Sequence, residues 1–151
     1  SDHRKYLRQV IVSMDISAPL YWWKEFDTYK VGTVANSTST MHKIHAKSFE
    51  RDDFSHDRLD AGGLALLDAT IAYLEAEREK FLSNSDDRQP WHNMIQMLPS
   101  SYNQMRTVTL NYENLMNIYY ARRHHKLAEW HTLCDWILTL PCADAWICVK
   151  E

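Results

Sequence analysis

The sequence predicts an α+β fold, and three observations carry that reading. Apolar residues recur at helical spacing along one long stretch: Leu64, Leu67, Ile71, Leu74 and Phe81. Two segments far apart in the chain, residues 10–16 and 102–110, alternate as strands do. Several shorter stretches between and after them carry helix starts and stops. A few non-adjacent strands among mostly helices make an α+β protein. The 151 residues are one domain's worth, 1–151, with room for one substantial core.

The elements follow in order. Residues 1–9 read as a short polar helix capped by Ser1 or Asp2. Val10 to Ile16 is β-branched and alternating, hence a strand. Ser17-Ala18-Pro19 supplies a capping hydroxyl and a first-turn proline for an aromatic-rich helix from Leu20 to about Thr28. Val31 to Thr40 is small and hydroxyl-rich, has little to bury, and reads as a loop. Residues 41–60 show no clear period. The surest helix runs from about Gly63 to Leu82, its far side solvated by Ala76 to Lys80. Residues 83–87 form a polar turn, and Pro90 starts a short helix ending near Leu98-Pro99. Tyr102 to Leu110 is the second strand. Asn111 to Arg123 and Leu127 to Leu140 are two more helices, and Pro141 opens a last turn or two.

Composition narrows the function. The net charge of −3 gives no basic field for nucleic acid or an anionic membrane. The three glycines, Gly32, Gly62 and Gly63, cannot be spaced as a GxGxxG fingerprint or a P-loop. No apolar run reaches the roughly 18 residues that span a bilayer. Cys134, Cys142 and Cys148 form neither CxxC nor a zinc-finger spacing, which suits reduced thiols in the cytoplasm. The chain begins at Ser1 without a methionine, as one missing an N-terminal part would.

Four groups of residues bear on chemistry. The 31–40 loop is either a solvated turn or an anion cradle of backbone N–H groups and hydroxyls. Asn111, Asn114 and Asn117 lie on or beside one helix, followed by Arg122-Arg123-His124-His125-Lys126. Cations at a helix C-terminus are stabilised by the dipole. They also suit a phosphate or a polarised carbonyl, for which an arginine fork is apt. Asn117 and Arg122 are five residues apart, about 140° around a helix, so they do not share a face. Of the eight histidines, only His42 and His45 have a plausible local ligand spacing, without a partner motif, and no metal site is expected. Trp22, Trp23, Trp130 and Trp136 sit in helices as core or subunit packing, and Cys134 belongs to the same core. No Ser/His/Asp or reactive-Cys arrangement is present.

Two stretches resemble the flavin-dependent thymidylate synthase family. Leu98-Pro99, Thr109-x-Asn111, Leu115-Met116-Asn117, Arg122 and Ala128-Glu129-Trp130 are similar to its C-terminal signature: LP, a strand ending T-V-N, a helix with L-M-N, an arginine five residues later, then H-A-Q-W-E. Upstream, Glu25 through Gly32-Thr33 to Ser39 resembles its RHRxxSxNxxS loop. The resemblance covers roughly residues 10–138. It departs from the family in several places. Arg-His-Arg is Thr28-Tyr29-Lys30, and the family's loop Glu falls on Asn36 or a hydroxyl. The His of H-A-Q falls on Leu127, with His125 and Lys126 near. The arginine before LP is absent. The chain looks like a divergent, short member of the kind phages carry.

The resemblance implies a compact subunit with helices around a small, curved, mostly antiparallel sheet. It implies a homotetramer with FAD and dUMP in clefts shared between subunits, and reductive methylation of dUMP to dTMP. NADPH and methylenetetrahydrofolate are the implied co-substrates. Arg122 matches the catalytic arginine that polarises the uracil ring. Glu25, Ser37, Thr38, Ser39 and Arg122 match substrate-binding positions. Thr28, Tyr29, Lys30, Asn36, Asn117 and Lys126 match cofactor-binding ones. The hard chemistry would then belong to the cofactor, with few catalytic side chains needed. Hydroxymethylation of a related pyrimidine nucleotide, or nucleotide binding without catalysis, are the alternatives that the lost Arg-His-Arg leaves open.

Overall fold

Three strands form one sheet in the order β1-β3-β2, with β1 at Ile11–Pro19, β2 at Val34–Ser37 and β3 at Asn103–Asn111. The computed structural model describes residues 4–147. The proposed cap at Ser1 or Asp2, and Cys148, lie outside the described residues. Helices follow at Leu20–Phe26 (α1), Thr40–Lys43 (α2), Ala61–Ser83 (α3), Gln89–Met97 (α4), Tyr112–Arg122 (α5), Ala128–Ile137 (α6) and Ala143–Trp146 (α7). The fold is α+β, as the residue pattern predicts, with the small antiparallel sheet that the resemblance implies. Among the described residues, no helix is long and apolar enough to cross a membrane.

The register of β1 on β3 is legible in its bonds. The Tyr112 N–H donates to the Val10 carbonyl, Ser13 and Thr109 share a hydroxyl bond, and Thr107 donates to Asp15. Numbers fall on one strand as they rise on the other, which is antiparallel pairing.

The chain divides into two units. The first comprises Ser1–Ile16, Lys24–Asn36 and Arg106–Glu151. Its interior is built from Leu7, Phe26, Val108, Leu110, Leu115, Ile118, Trp130 and Ile137, all buried. A 3-10 turn at Lys5–Gln9 replaces the expected N-terminal helix. The start of α5 is fastened by a reciprocal cap: Asn111 Oδ1 accepts from Asn114 N–H, and Asn114 Oδ1 accepts from Asn111 N–H. Two of the three asparagines are thus spent on the helix terminus. The last turn opens two residues later than expected, after Cys142 in a left-handed conformation.

The second unit comprises Ser17–Trp23 and Ser37–Met105. Leu67, Leu74 and Phe81 recur every seven residues on α3 and bury against Ile44, Phe49, Phe54 and Met94. The stretch without readable period therefore supplies three core residues, with a 3-10 turn at Arg51–Asp53. Asp60 caps α3 by accepting from Gly63 N–H, so that helix starts two residues before the expected Gly63.

Three further expectations are corrected. Ser17-Ala18-Pro19 is the end of β1, not a capping segment. Backbone carbonyls replace the cap: Leu20 N–H donates to Tyr102 O and Tyr21 N–H to Ser100 O. Helix α1 stops at Phe26, so Thr28 lies in a turn, where its hydroxyl donates to Glu25 O. The 31–40 segment is not all loop, because Val34–Ser37 pairs as an edge strand and Thr40 opens α2. All four strand residues are exposed, so no burial period betrays them.

Candidate functional site

Within the first unit, the segment after α1 is held against the start of α5. Gly32 sits at φ +74, a left-handed turn that suits glycine. A Cβ there would lie 3.0 Å from Asn114 Oδ1. The approach lets Asn114 Nδ2 donate to Val31 O at 2.7 Å. The helix that ends in Arg122 is thereby tied to the segment that follows Glu25.

Around Glu25 the donors converge on one oxygen. Its Oε2 accepts from Arg122 Nη1 at 2.9 Å and from Trp130 Nε1 at 3.0 Å, and lies 3.3 Å from His125 Nε2. His125 Nδ1 accepts from Leu127 N–H at 3.1 Å, which leaves the neutral ring's proton on Nε2, facing the carboxylate. Arg122 Nε donates to the Tyr29 hydroxyl at 2.8 Å. The guanidinium lies 4.6 Å from the Trp130 ring centroid and 5.6 Å from that of Tyr29. Its side chain is only 18% exposed. Nη2 makes no protein hydrogen bond among the described residues. A planar cation clamped on two sides with one donor edge unspent can bind a carbonyl or phosphate oxygen and stabilise charge that builds there.

Beside this cluster a cleft of about 220 Å³ is lined by Phe26, Asp27, Tyr29, Lys30, Thr33 and Ala35. Tyr29 belongs to both. Asp27 Oδ1 accepts from Arg106 Nη1 at 2.8 Å, so one wall is already neutralised. Thr33 Oγ1 is buried without a hydrogen-bond partner among the described residues. Such a group in a native interior calls for a reason, and a ligand is one.

The expected site residues therefore fall into groups. Glu25, Tyr29 and Arg122 are in contact, and Lys30 lines the cleft with Tyr29. Asn36, Asn117 and Lys126 are exposed in the same unit, and Thr28 spends its hydroxyl hydrogen on Glu25 O. Ser37, Thr38 and Ser39 belong to the second unit. There both the N–H and the hydroxyl of Thr38 donate to Met105 O, so that hydroxyl is a fold contact rather than a free donor. The C-terminal arginine Arg122 is held by Glu25 rather than by the helix dipole alone. Three participants go beyond the expected set: His125, Trp130 and Thr33. Trp130 was legible as core, and it is fully buried, but its indole N–H serves Glu25. Thr33 stands where the resembled loop motif has its first serine, the signal that singles it out.

No protein-family model matches the chain, and no curated sequence matches it. Solved structures do. Flavin-dependent thymidylate synthase ThyX from Helicobacter pylori, complexed with FAD and dUMP, matches at 16% identity and TM-score 0.67, over 97% of this chain and 75% of that one. A second structure of that enzyme with FAD and dUMP gives 17%, TM-score 0.68, 99% and 78%. The UMP/dUMP methylase PolB from Streptomyces cacaoi, bound with 5-Br UMP, gives 12%, TM-score 0.67, 91% and 71%. The chain has the fold of the flavin-dependent thymidylate synthases. In this chain Tyr29 and Lys30 of the replaced motif line the cleft, and Arg122, after the Leu115-Met116-Asn117 stretch, is bonded to Tyr29.

Proposed function

We propose that this chain is a cytoplasmic, flavin-dependent thymidylate synthase-like enzyme that methylates dUMP to dTMP as a single catalytic domain. The observation that carries the reading is Arg122, clamped by Glu25, Tyr29 and Trp130 with Nη2 unspent, next to a cleft walled by Tyr29, Lys30 and Thr33. Support comes from neighbours of the same fold that are complexed with FAD and dUMP or bound with 5-Br UMP.

The residues suit such a group. A tyrosine, a lysine and an unpartnered threonine hydroxyl fit a polar, anionic edge. The cleft is smaller than the roughly 300 Å³ at which pockets begin to enclose a drug-sized ligand. One chain thus takes one end of FAD, and neighbouring chains of a homotetramer complete the site. FAD with NADPH supplies reducing power, and methylenetetrahydrofolate supplies the carbon. The chain's own residues bind and orient. Arg122 donates to a uracil carbonyl and stabilises negative charge there. Glu25 fixes the guanidinium, and His125 and Trp130 fix Glu25. Ser37 and Ser39 are the hydroxyls left to hold the nucleotide phosphate. Lys30, Asn36, Asn117 and Lys126 serve the cofactor side.

The test is the visible flavin absorption of the purified chain, loaded with FAD, with and without dUMP, after desalting. Retained flavin whose spectrum shifts with dUMP is expected, followed by dTMP when the co-substrates are supplied. A chain that binds dUMP but retains no flavin overturns the enzyme reading in favour of a non-catalytic nucleotide binder. Turnover of dCMP in place of dUMP overturns the substrate.

A further inference from the structure

The second unit contains a cleft that shares no residue with the Arg122 site. It is about 350 Å³ and is lined by His42, His45, Phe81, Arg88, Trp91 and His92. In a chain of net charge −3, four of these six side chains are basic in type and none is a carboxylate. The adjacent Asp87 does not line the cleft, and its Oδ1 accepts from Gln89 N–H.

The walls are flat and fixed. Trp91 Nε1 donates to Met41 O at 3.0 Å, which sets the indole's orientation. His92 meets that ring edge-on at 5.0 Å, and His45 meets buried Phe81 edge-on at 4.9 Å. The Arg88 guanidinium lies 5.9 Å from the Phe81 centroid and has no carboxylate partner among the described residues. The Nδ1 of His45 is buried without a hydrogen-bond partner among the described residues. An arginine without a counter-ion and a buried imidazole nitrogen without a partner are two independent vacancies in one cleft. No three His, Cys, Asp or Glu side chains among the described residues are placed to hold a metal ion, so the imidazoles are not grouped as ligands.

We propose that this cleft binds a phosphate monoester carried on a flat ring. The ring packs on Trp91 and Phe81, while Arg88 and the imidazoles donate to the phosphate. A phosphate rather than a carboxylate suits the donor set. One planar carboxylate is satisfied by an arginine fork alone, whereas three tetrahedral oxygens use donors arriving from several directions. The inference stands apart from the reading of the Arg122 site.

Phenyl phosphate titrated calorimetrically into the full chain tests it, with phenol, benzoate and inorganic phosphate as comparison ligands. Because Lys30 or Arg122 can also attract phosphate, the titration is repeated in Lys30→Gln and Arg122→Ala. Phenyl phosphate is expected to bind more tightly than any comparison ligand. Arg88→Gln should weaken it about tenfold, the loss of one charged hydrogen bond. His92→Gln should weaken it less, and Lys30→Gln and Arg122→Ala should leave it unchanged. Arg88 and His92 are exposed, so both variants should keep the wild-type circular dichroism. Undiminished binding in Arg88→Gln and His92→Gln, loss of binding in Lys30→Gln, or no binding at all overturns the site. Tighter binding of benzoate overturns its assignment to phosphate.

Discussion

Two glutamates, one in each unit, handle their donors in opposite ways. Glu77 on α3 is 3% exposed and divides its bonds: Lys80 Nζ donates to Oε1, and Asn93 Nδ2 on α4 donates to Oε2 at 2.8 Å. Lys80 first and Asn93 second hold its carboxyl below the usual carboxylate range, against the opposing effect of burial. Glu25 is about a third exposed and gathers Arg122, Trp130 and His125 on Oε2. A buried carboxylate with both oxygens spent is a joint between helices. A part-exposed one that crowds its donors on one oxygen sets an arginine's orientation and leaves that arginine a free edge. The two clusters should therefore fail differently when broken: one in stability, the other in turnover.

The largest expected effect belongs to the residue that spans both roles. Trp130 is fully buried and also donates to Glu25. Trp130→Ala should cost about 3–5 kcal/mol of folding stability through the cavity it leaves, read from urea unfolding midpoints. A variant that unfolds at the wild-type midpoint would show that the aromatic cluster is not the core of its unit. Next is Arg122→Ala, which should reduce dUMP turnover by about 10²–10³-fold, the usual scale for removing one preorganised donor to a developing charge. Its unfolding midpoint should stay near wild type. Turnover within a few fold of wild type removes the role given to Arg122 and, with it, the functional half of the comparison.

Glu77→Gln should show the reverse pattern, costing about 1–2 kcal/mol at pH 7 with turnover unchanged per folded molecule. Its pH dependence has a definite sign. The folded-state pKa lies below the ordinary value of 4.5, so the ionised form stabilises the fold above that value. That contribution is lost as pH falls through the folded pKa. The gap between wild type and Glu77→Gln should therefore be open at pH 7 and close in more acidic solution. A gap that widens on acidification would assign the stabilisation to the neutral acid.

What was legible in the sequence follows the same division between local and distant causes. Helix α3 could be read because Leu67, Leu74 and Phe81 repeat on one face, a pattern contained within a single element. Strand β3 could be read because Val108 and Leu110 point to one buried side. Arg122 stood out through spacing to Asn117 and Ala128 along the chain. The strand at Val34–Ser37 could not, because its four residues are exposed and its existence depends on pairing with a distant partner. Nor could the end of β1 at Pro19, where carbonyls of Ser100 and Tyr102 do the capping that Ser17 was expected to do. The pairing of Glu25 with Arg122 joins residues 97 apart. No local rule of composition or period carries that information, and only the family-like spacing of both segments hinted at it.

The smallest expected effect probes how the two segments are joined. In Gly32→Ala the added Cβ meets Asn114 Oδ1 at 3.0 Å and Asn111 Nδ2 at 3.3 Å, while the backbone keeps φ +74. A left-handed alanine costs about 1 kcal/mol from the backbone, and displacing the capping asparagines adds to it. The two sources separate in a double-mutant cycle with Asn114→Ala. In that background the closest conflict, with Asn114 Oδ1, is gone and only the 3.3 Å contact with Asn111 Nδ2 remains, so Gly32→Ala should cost less than it does in the wild type, and the difference measures how firmly the segment after Glu25 is seated on α5. An undiminished cost would assign the effect to backbone strain and the Asn111 contact, with nothing from Asn114. The contact from Asn114 to Val31 would then be an incidental neighbour of the turn rather than the fastening that keeps Glu25 beside Arg122.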